Sequence, residues 1–487
     1  MAQYAPHDDG GGSVTTTGLP SPNRDTSILP KRPYPGLRPF EADEWPIFFG
    51  RESMIDDVLD RLGQHRFIVV YGASGAGKSS LILAGVLPRL ARQHRRHGVP
   101  WLTCSLRPAN GPLWNLAKAF ARLERTEGDI NSVASIFQRL NRRDATISSV
   151  VASLPNCRGH RVCILVDQFE ELFRYAKEQS RDEAELFVEL LVRELAMAGA
   201  PDGQEPAHVI LTMRSEFLGA CARFDGLAEV INQTQYLVPR MDRASLLRAI
   251  QRPASMFGGR VTTELAEHIV ADVEDHDDEL PLIQHGLMLM WDAAKRKSAS
   301  GAALVMSTYP FGTNDRLADM LSRHADRVVA SIAVSGGQQK TIEHVFRALT
   351  DINADGQAIR RPQTFRQLAA STGAEPSALR AIIDPLRAEG VSFLTPYAPT
   401  VIDDETVIDI SHEALIRCWK SISDPENGWL RREFDDGLIW RSLVMEAKAF
   451  LITHKPQLTS GACMASAGSA RRPSKGEAPW RRDRIAG

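Results

Sequence analysis

At 487 residues the chain is too long for one ordinary core, so several domains are expected. Its 43% hydrophobic and 24% charged residues are those of a soluble globular protein, and a net charge of −2 excludes a global basic field that would recruit nucleic acid or anionic membrane. No apolar run reaches the ~18 residues needed to span a bilayer, the polar N-terminus is not a secretory signal, and six scattered cysteines without a C-x-x-C pair predict a reducing cytoplasm.

Residues 1–33 are rich in Gly, Ser, Thr and Pro, lack an apolar period and read as a disordered tail. Ordered sequence begins at Tyr34-Pro35-Gly36-Leu37-Arg38-Pro39-Phe40. Trp45-Pro46-Ile47-Phe48-Phe49-Gly50-Arg51-Glu52 follows, then a helix from Met54 to Leu62. This aromatic stretch could wall a nucleotide base or simply pack an edge.

Phe67 to Tyr71 is an apolar, β-branched strand, and a helix begins at Ser80. Between them stands Gly72-Ala73-Ser74-Gly75-Ala76-Gly77-Lys78-Ser79, which fits G-x-x-x-x-G-K-[ST], the P-loop or Walker A pattern. Its glycines let backbone N–H groups face phosphate oxygens, and the new helix points its positive end there. Lys78 is expected on the β- and γ-phosphates of a nucleoside triphosphate, and Ser79 on Mg²⁺. The residues expected to cradle phosphate are Gly72, Ser74, Gly75, Ala76, Gly77, Lys78, Ser79 and Ser80.

The basic run from Leu90 to His97 is better explained by a helix C-terminus, stopped by Gly98, than by a nucleic-acid patch. Trp101 to Leu106 is a second strand, Leu113 to Leu123 an amphipathic helix, and a helical region runs to about 155. Arg161 to Val166 is a near-continuous apolar strand ending at Asp167, the Walker B form, which would hold Mg²⁺ beside the P-loop. Glu170, or secondarily Glu171, would orient or deprotonate the attacking water; either could instead be a first-turn helix acid. His208 to Met213 is a fourth strand. Arg214 at its end would sense the γ-phosphate, with an ion pair to Glu216 or Asp225 as the alternative. Gln235 to Val238 is a fifth strand. The fold class expected is thus an α/β P-loop NTPase with a five-stranded parallel sheet, ASCE-type, carrying an extra strand between the two Walker strands.

From Asp242 the pattern becomes helical: Asp242 caps Arg243 to Arg252, Pro253 breaks that helix, and a further helix covers Leu265 to Val273. The acids Asp272, Glu274, Asp275, Asp277, Asp278 and Glu279 lack EF-hand spacing and read as a solvated loop. Pro281 opens a long apolar helix to Ala294. Helices at Thr341–Leu349, Thr364–Ser371 and Ser377–Ala388, then strands at Val391–Leu394 and Thr406–Ile410, make a winged helix. Its third helix argues against DNA: from Gly373 to Gly390, two arginines (Arg380, Arg387) meet three acids (Glu375, Asp384, Glu389), a net of −1. His412-Glu413 is not a zinc motif, because Ile416 stands where H-E-x-x-H needs histidine. One more helix runs through Phe450, and the end is basic and of low complexity. The units expected are 34–241, an all-α lid at 242–335, the winged helix at 336–425, a helical extension at 426–456 and a tail at 457–487.

Four segments together carry a family resemblance. They are Tyr34–Phe40 with Phe48–Glu52, the P-loop, Val166–Phe173, and Ile410-Ser411-His412-Glu413-Ala414-Leu415-Ile416-Arg417 followed by Trp419. Over about residues 34–455 the chain resembles the novel STAND NTPases, signal-transduction ATPases that are usually bacterial and commonly carry a C-terminal WD-repeat propeller. The resemblance implies an NTPase core, helical lid and winged helix closed over ATP or ADP, with self-association in the ATP state. It would place Gly50 and Arg51 near adenine and ribose, Pro281 on the base, and His412 on the β-phosphate. From the residues alone, His412 is a capping or core histidine. The sequence carries no WD-repeat region, which leaves two expectations: a truncated form of a longer WD-repeat protein, or a chain that works with separate sensor or effector proteins. Two rivals accompany this switch reading: a winged-helix DNA-binding regulator with an ATPase module, and a non-hydrolysing nucleotide-binding scaffold.

Overall fold

The computed structural model describes residues 29–93, 98–196, 206–274, 279–297, 304–309, 316–333, 336–352 and 358–453. Most of both termini, His94–His97 of the basic run and residues 275–278 of the acid cluster lie outside the described residues.

Five parallel strands form the central sheet: β1 (Phe67–Gly72), β2 (Trp101–Leu106), β3 (Arg161–Val166), β4 (His208–Arg214) and β5 (Gln235–Leu237). Their order is β2-β3-β4-β1-β5, so β4 is the extra strand between the two Walker strands. The strands read as continuous apolar runs because both faces are covered. Phe67, Val69, Ile164, Val209 and Leu211 pack on one face with helices Pro112–Leu123 and Arg181–Ala196. Ile68, Val70, Leu165 and Ile210 pack on the other with helix Glu52–Gln64 and with Leu81 to Leu90. The register pairs Gly72 with Arg214, and Val166 with Leu211. Parallel pairing therefore brings the P-loop, Asp167 and Arg214 to one sheet edge, where open α/β sheets bind ligands.

The lid is built from helices Arg243–Met256, Thr263–Val273, Glu279–Lys297 and Leu317–Ile332, but it is not all-α as expected: the short strands Gly259–Val261 and Leu304–Met306 pair in parallel within it. Pro253 does not end the first of these, contrary to expectation. It is buried inside a helix that continues to Met256, because the apolar face on which Ile250 and Ala254 pack outweighs one missing rung. After the lid come helices Gly336–Ala348, Phe365–Thr372 and Pro376–Leu386. Gln363–Thr364, Val407–Ile410 and Leu394–Thr395 form a small antiparallel sheet. The sheet has three strands rather than the two expected. A separate hairpin, Thr350–Ile352 with Ala358–Arg360, is also present. Strands of two or three residues are too short to show a period of two in sequence.

Lid and C-terminal module share one core, which runs from Tyr34 and Leu37 through Leu287 and Met320 to Ile410 and Trp429. Fully buried Trp419 pins the two together. Its indole Nε1 donates to Asp326 Oδ1 at 2.6 Å, and its ring packs edge-on against Phe346 and Trp429. Ser322 Oγ accepts from the Lys420 N–H at 3.1 Å. Among the described residues, no helix is long and apolar enough to cross a membrane.

Trp419→Ala removes a large ring and one of the two hydrogen bonds to Asp326 Oδ1, leaving the one from the Ser421 hydroxyl at 3.0 Å. It is expected to cost about 3–5 kcal/mol in this layer. Chemical denaturation checks this: the transition of the lid and C-terminal module moves to lower denaturant, and an unchanged midpoint contradicts the pinning role.

Candidate functional site

The P-loop turns on Gly75 and Gly77, whose φ angles are +78° and +80°, a region that side-chain-bearing residues avoid. A Cβ on Gly77 would lie 3.2 Å from Leu280 Cδ1, so the lid helix rests directly on the loop. Lys78 Nζ donates to the carbonyls of Gly72 at 2.9 Å and Ala73 at 2.7 Å, and burial lowers its pKa. Ser79 Oγ and Thr212 Oγ1 both donate to Asp167 Oδ1 at 2.6 Å. Arg107 Nε lies 3.6 Å from the other carboxylate oxygen. Thr212 Oγ1 also accepts from the Gln168 N–H at 3.0 Å, fixing the turn after β3.

This donor set fits magnesium. A hydroxyl and a carboxylate converge at Ser79 and Asp167, and no group of three His, Cys, Asp or Glu forms a metal cage among the described residues. Mg²⁺ with few protein ligands takes the rest from phosphate and water. There it would neutralise phosphate charge.

Glu170 and Glu171 separate in space. Glu170 faces the cleft, its Oε1 is 3.9 Å from Arg214 Nε, and its buried Oε2 is without a hydrogen-bond partner. Burial raises its pKa against the pull of Arg214 and Lys78. Glu171 does not line the cleft. It sits among Arg107, Asp409 and Arg360, and burial pushes its carboxyl up to about 7.

Arg214 ends β4 and pairs with three carboxylates: Glu170, Glu216 at 3.4 Å, and most closely Glu413. Glu413 belongs to the C-terminal module and is 3% exposed. It also meets Arg360 Nε at 3.8 Å and Arg417 Nη2 at 3.1 Å, and it hydrogen-bonds Ser74 of the P-loop. Burial would raise its pKa, but Arg214 and Arg360 outweigh that and hold it at about 2. Arg360 Nη1 donates to Asp409 Oδ2 at 2.5 Å and to the Ile410 carbonyl at 3.2 Å. His412 Nδ1 accepts from the Ala414 N–H at 3.0 Å, so the histidine caps its helix, and its ring also lines the cleft. Burial, then Arg360, lowers its pKa to about 3, which leaves the ring neutral.

Part of the cleft lining is apolar. Leu37, Pro39, Phe48, Phe49 and Met241 line it together with Leu280 and Pro281 of the lid. Of the residues expected at the site, Ser74, Gly75, Gly77, Lys78, Ser79, Ser80, Glu170, Arg214, Arg51, Pro281 and His412 line this one cleft. Gly50, Gly72, Ala76, Asp167 and Glu171 do not. Gly50, at φ +85°, packs against the Ser245 carbonyl, where a Cβ would lie at 2.4 Å. Arg51 donates to the carbonyls of Ala76 at 2.8 Å and Pro239 at 3.2 Å, so its guanidinium braces the P-loop from behind. Arg107, Gln168, Thr212, Arg360, Tyr397 and Glu413 also line the cleft and escaped the sequence reading. Glu413 stood inside a recognised motif, whereas Arg360 lies on a hairpin that left no periodic signal.

The model of the family Novel STAND NTPase 1 matches residues 33–457, and the chain belongs to that family. No curated protein matches it. Among solved structures it is similar to the Aeropyrum pernix ORC1 protein in complex with DNA, at 13% identity and TM-score 0.42, over 78% of this chain and 94% of that one. It is also similar to the ADP form of the A. pernix ORC2 protein, at 14% identity and TM-score 0.38, over 74% and 87%. A third is Cdc6p from Pyrobaculum aerophilum, at 12% identity and TM-score 0.34, over 77% and 93%.

The raised pKa of Glu171 makes stability pH-dependent. Its folded value near 7 exceeds the usual 4.5, so the folded state holds the proton more tightly. That stabilisation is complete below about pH 4.5 and is lost as pH rises to 7. Glu171→Gln cannot ionise, so it is expected to be more stable than the wild type by ~1–3 kcal/mol at pH 8 and equal to it near pH 5. Thermal melts of both proteins across this range check the sign.

Proposed function

We propose that this STAND NTPase is an ATP- and ADP-binding signalling switch with slow hydrolysis. ADP holds the closed form. ATP with Mg²⁺ favours an open form that self-associates, and hydrolysis resets it. The observation that carries the reading is that one cleft is walled by three parts of the chain: Lys78 and Ser79 of the P-loop, Pro281 of the lid, and His412 and Glu413 of the C-terminal module. Nearly complete switching requires about 5.5 kcal/mol of differential affinity between states. Contacts from lid and module to the nucleotide are available to supply it.

We read the C-terminal module as a winged helix used for closure rather than for DNA. Arg380 lies over the Phe365 ring at 4.5 Å and donates to the Ile402 carbonyl at 2.5 Å. Arg387 is 3% exposed and donates to the Pro396 carbonyl at 2.6 Å. Both cations of the third helix are engaged inside the module, which leaves that helix little to offer phosphates. Signalling through separate sensor or effector proteins, in a bacterial cytoplasm, completes the proposal.

Nucleotide binding and turnover of the purified protein test it. Lys78→Ala is expected to weaken ATP binding by at least about tenfold, the factor carried by ~1.4 kcal/mol. If it binds ATP as wild type does, the site assignment is wrong. Glu170→Gln is expected to keep binding while slowing phosphate release by about 10²-fold. Glu171→Gln, whose side chain is outside the cleft, should stay within a few-fold of wild type.

A further inference from the structure

The nucleotide cleft of the proposed switch holds an anion of its own. Glu413 reaches it from the C-terminal module and touches both Ser74 of the P-loop and Arg214 at the end of β4. Ser74 lies in the P-loop, four residues before Lys78, and lines the cleft. Lys78 in a P-loop serves the β- and γ-phosphates, and a cation at the strand end serves the γ-phosphate. A carboxylate bonded to both loop and strand end therefore lies where a third phosphate would project.

We propose that Glu413 stands in for the γ-phosphate in the closed form, and so sets the preference of this site for a nucleoside diphosphate over a triphosphate. The inference rests on the cleft being a nucleotide site, as proposed above. A diphosphate ends short of Glu413 and leaves Arg214, Arg360 and Ser74 to the carboxylate. A triphosphate brings further negative charge to the same three partners. Two like charges cannot share them in a buried setting, so the γ-phosphate enters only when Glu413 leaves. Glu413 is fixed to the module through Arg360 at 3.8 Å and Arg417 at 3.1 Å, so its departure carries the module with it. His412, one residue before, is neutral and bonded to its own helix, and adds no charge of either sign at this point.

The test is a titration of the nucleotide-stripped full chain with ADP and with the β,γ-imido analogue of ATP, both with Mg²⁺. Wild type is expected to bind the diphosphate more tightly. Glu413→Gln keeps the shape and removes the charge, and should shift the ADP-to-triphosphate affinity ratio towards the triphosphate by roughly tenfold, the factor carried by ~1.4 kcal/mol. Glu413→Asp keeps the charge and should stay nearer to wild type. A ratio unmoved by Glu413→Gln, or moved equally by both variants, overturns the proposal. Should Glu413→Gln fail to fold, Arg417→Gln at the half-exposed edge of the pair decides: a few-fold shift in the same direction supports the proposal and an unchanged ratio sinks it. If wild type binds neither nucleotide, the nucleotide-site reading itself has failed, an outcome distinct from binding with an unmoved ratio.

Discussion

The closed arrangement depends on a buried knot of charge where the C-terminal module meets the open edge of the sheet. Glu413 and Asp409 come from the module together with Arg360, while Arg214 and Glu170 come from the NTPase side. Taking such groups out of water costs several kcal/mol each, and only close partners offset it. Removing one partner leaves another charge buried and uncompensated, at about 3–5 kcal/mol. In the seam these charges offset that cost by pairing with each other.

The apolar packing decides what moves. The sheet has a core on each face, and neither is the core that joins lid to module. That third core is continuous from Tyr34 to Trp429 and is tied across its middle by the bond from Trp419 to Asp326. Lid and module thus share a core of their own, distinct from the two cores on the faces of the sheet. The contact surface is fine-grained: Leu280 stands 3.2 Å from a Cβ position on Gly77, and the Ser245 carbonyl 2.4 Å from one on Gly50. A methyl group at Gly50, which lies just before Arg51, would force the Ser245 carbonyl or the Gly50 backbone to shift.

Much of this was legible in the sequence because its signals are local. A P-loop between strand and helix, an apolar strand ending in Asp167 and a strand ending in Arg214 each need only a dozen residues to be seen, and parallel register does the rest. Proline at 253 misled because a single-residue rule was set against packing spread over a whole helix. Arg360 was invisible for a different reason: its three-residue strand carries no period, and its function depends on Asp409 and Glu413, some fifty residues later. Adjacent Glu170 and Glu171 could not be ranked firmly in sequence, since one helical step separates a cleft-facing carboxylate from one buried beside it. Glu413 was in plain view within a quoted motif, but its meaning lies in contacts to Ser74 and Arg214, which only the fold supplies.

In the proposed switch, lid and module close over the phosphate end of the cleft and nucleotide controls this closure. The most direct measurement is the distance between labels on exposed positions of the two bodies, Arg142 in the NTPase core and Arg366 in the module. With ADP bound, one short distance matching the closed structure is expected. With ATP and Mg²⁺ under conditions that block hydrolysis, a longer or broader population should appear. Identical distances in both nucleotides, with both shown to be bound, would contradict the account.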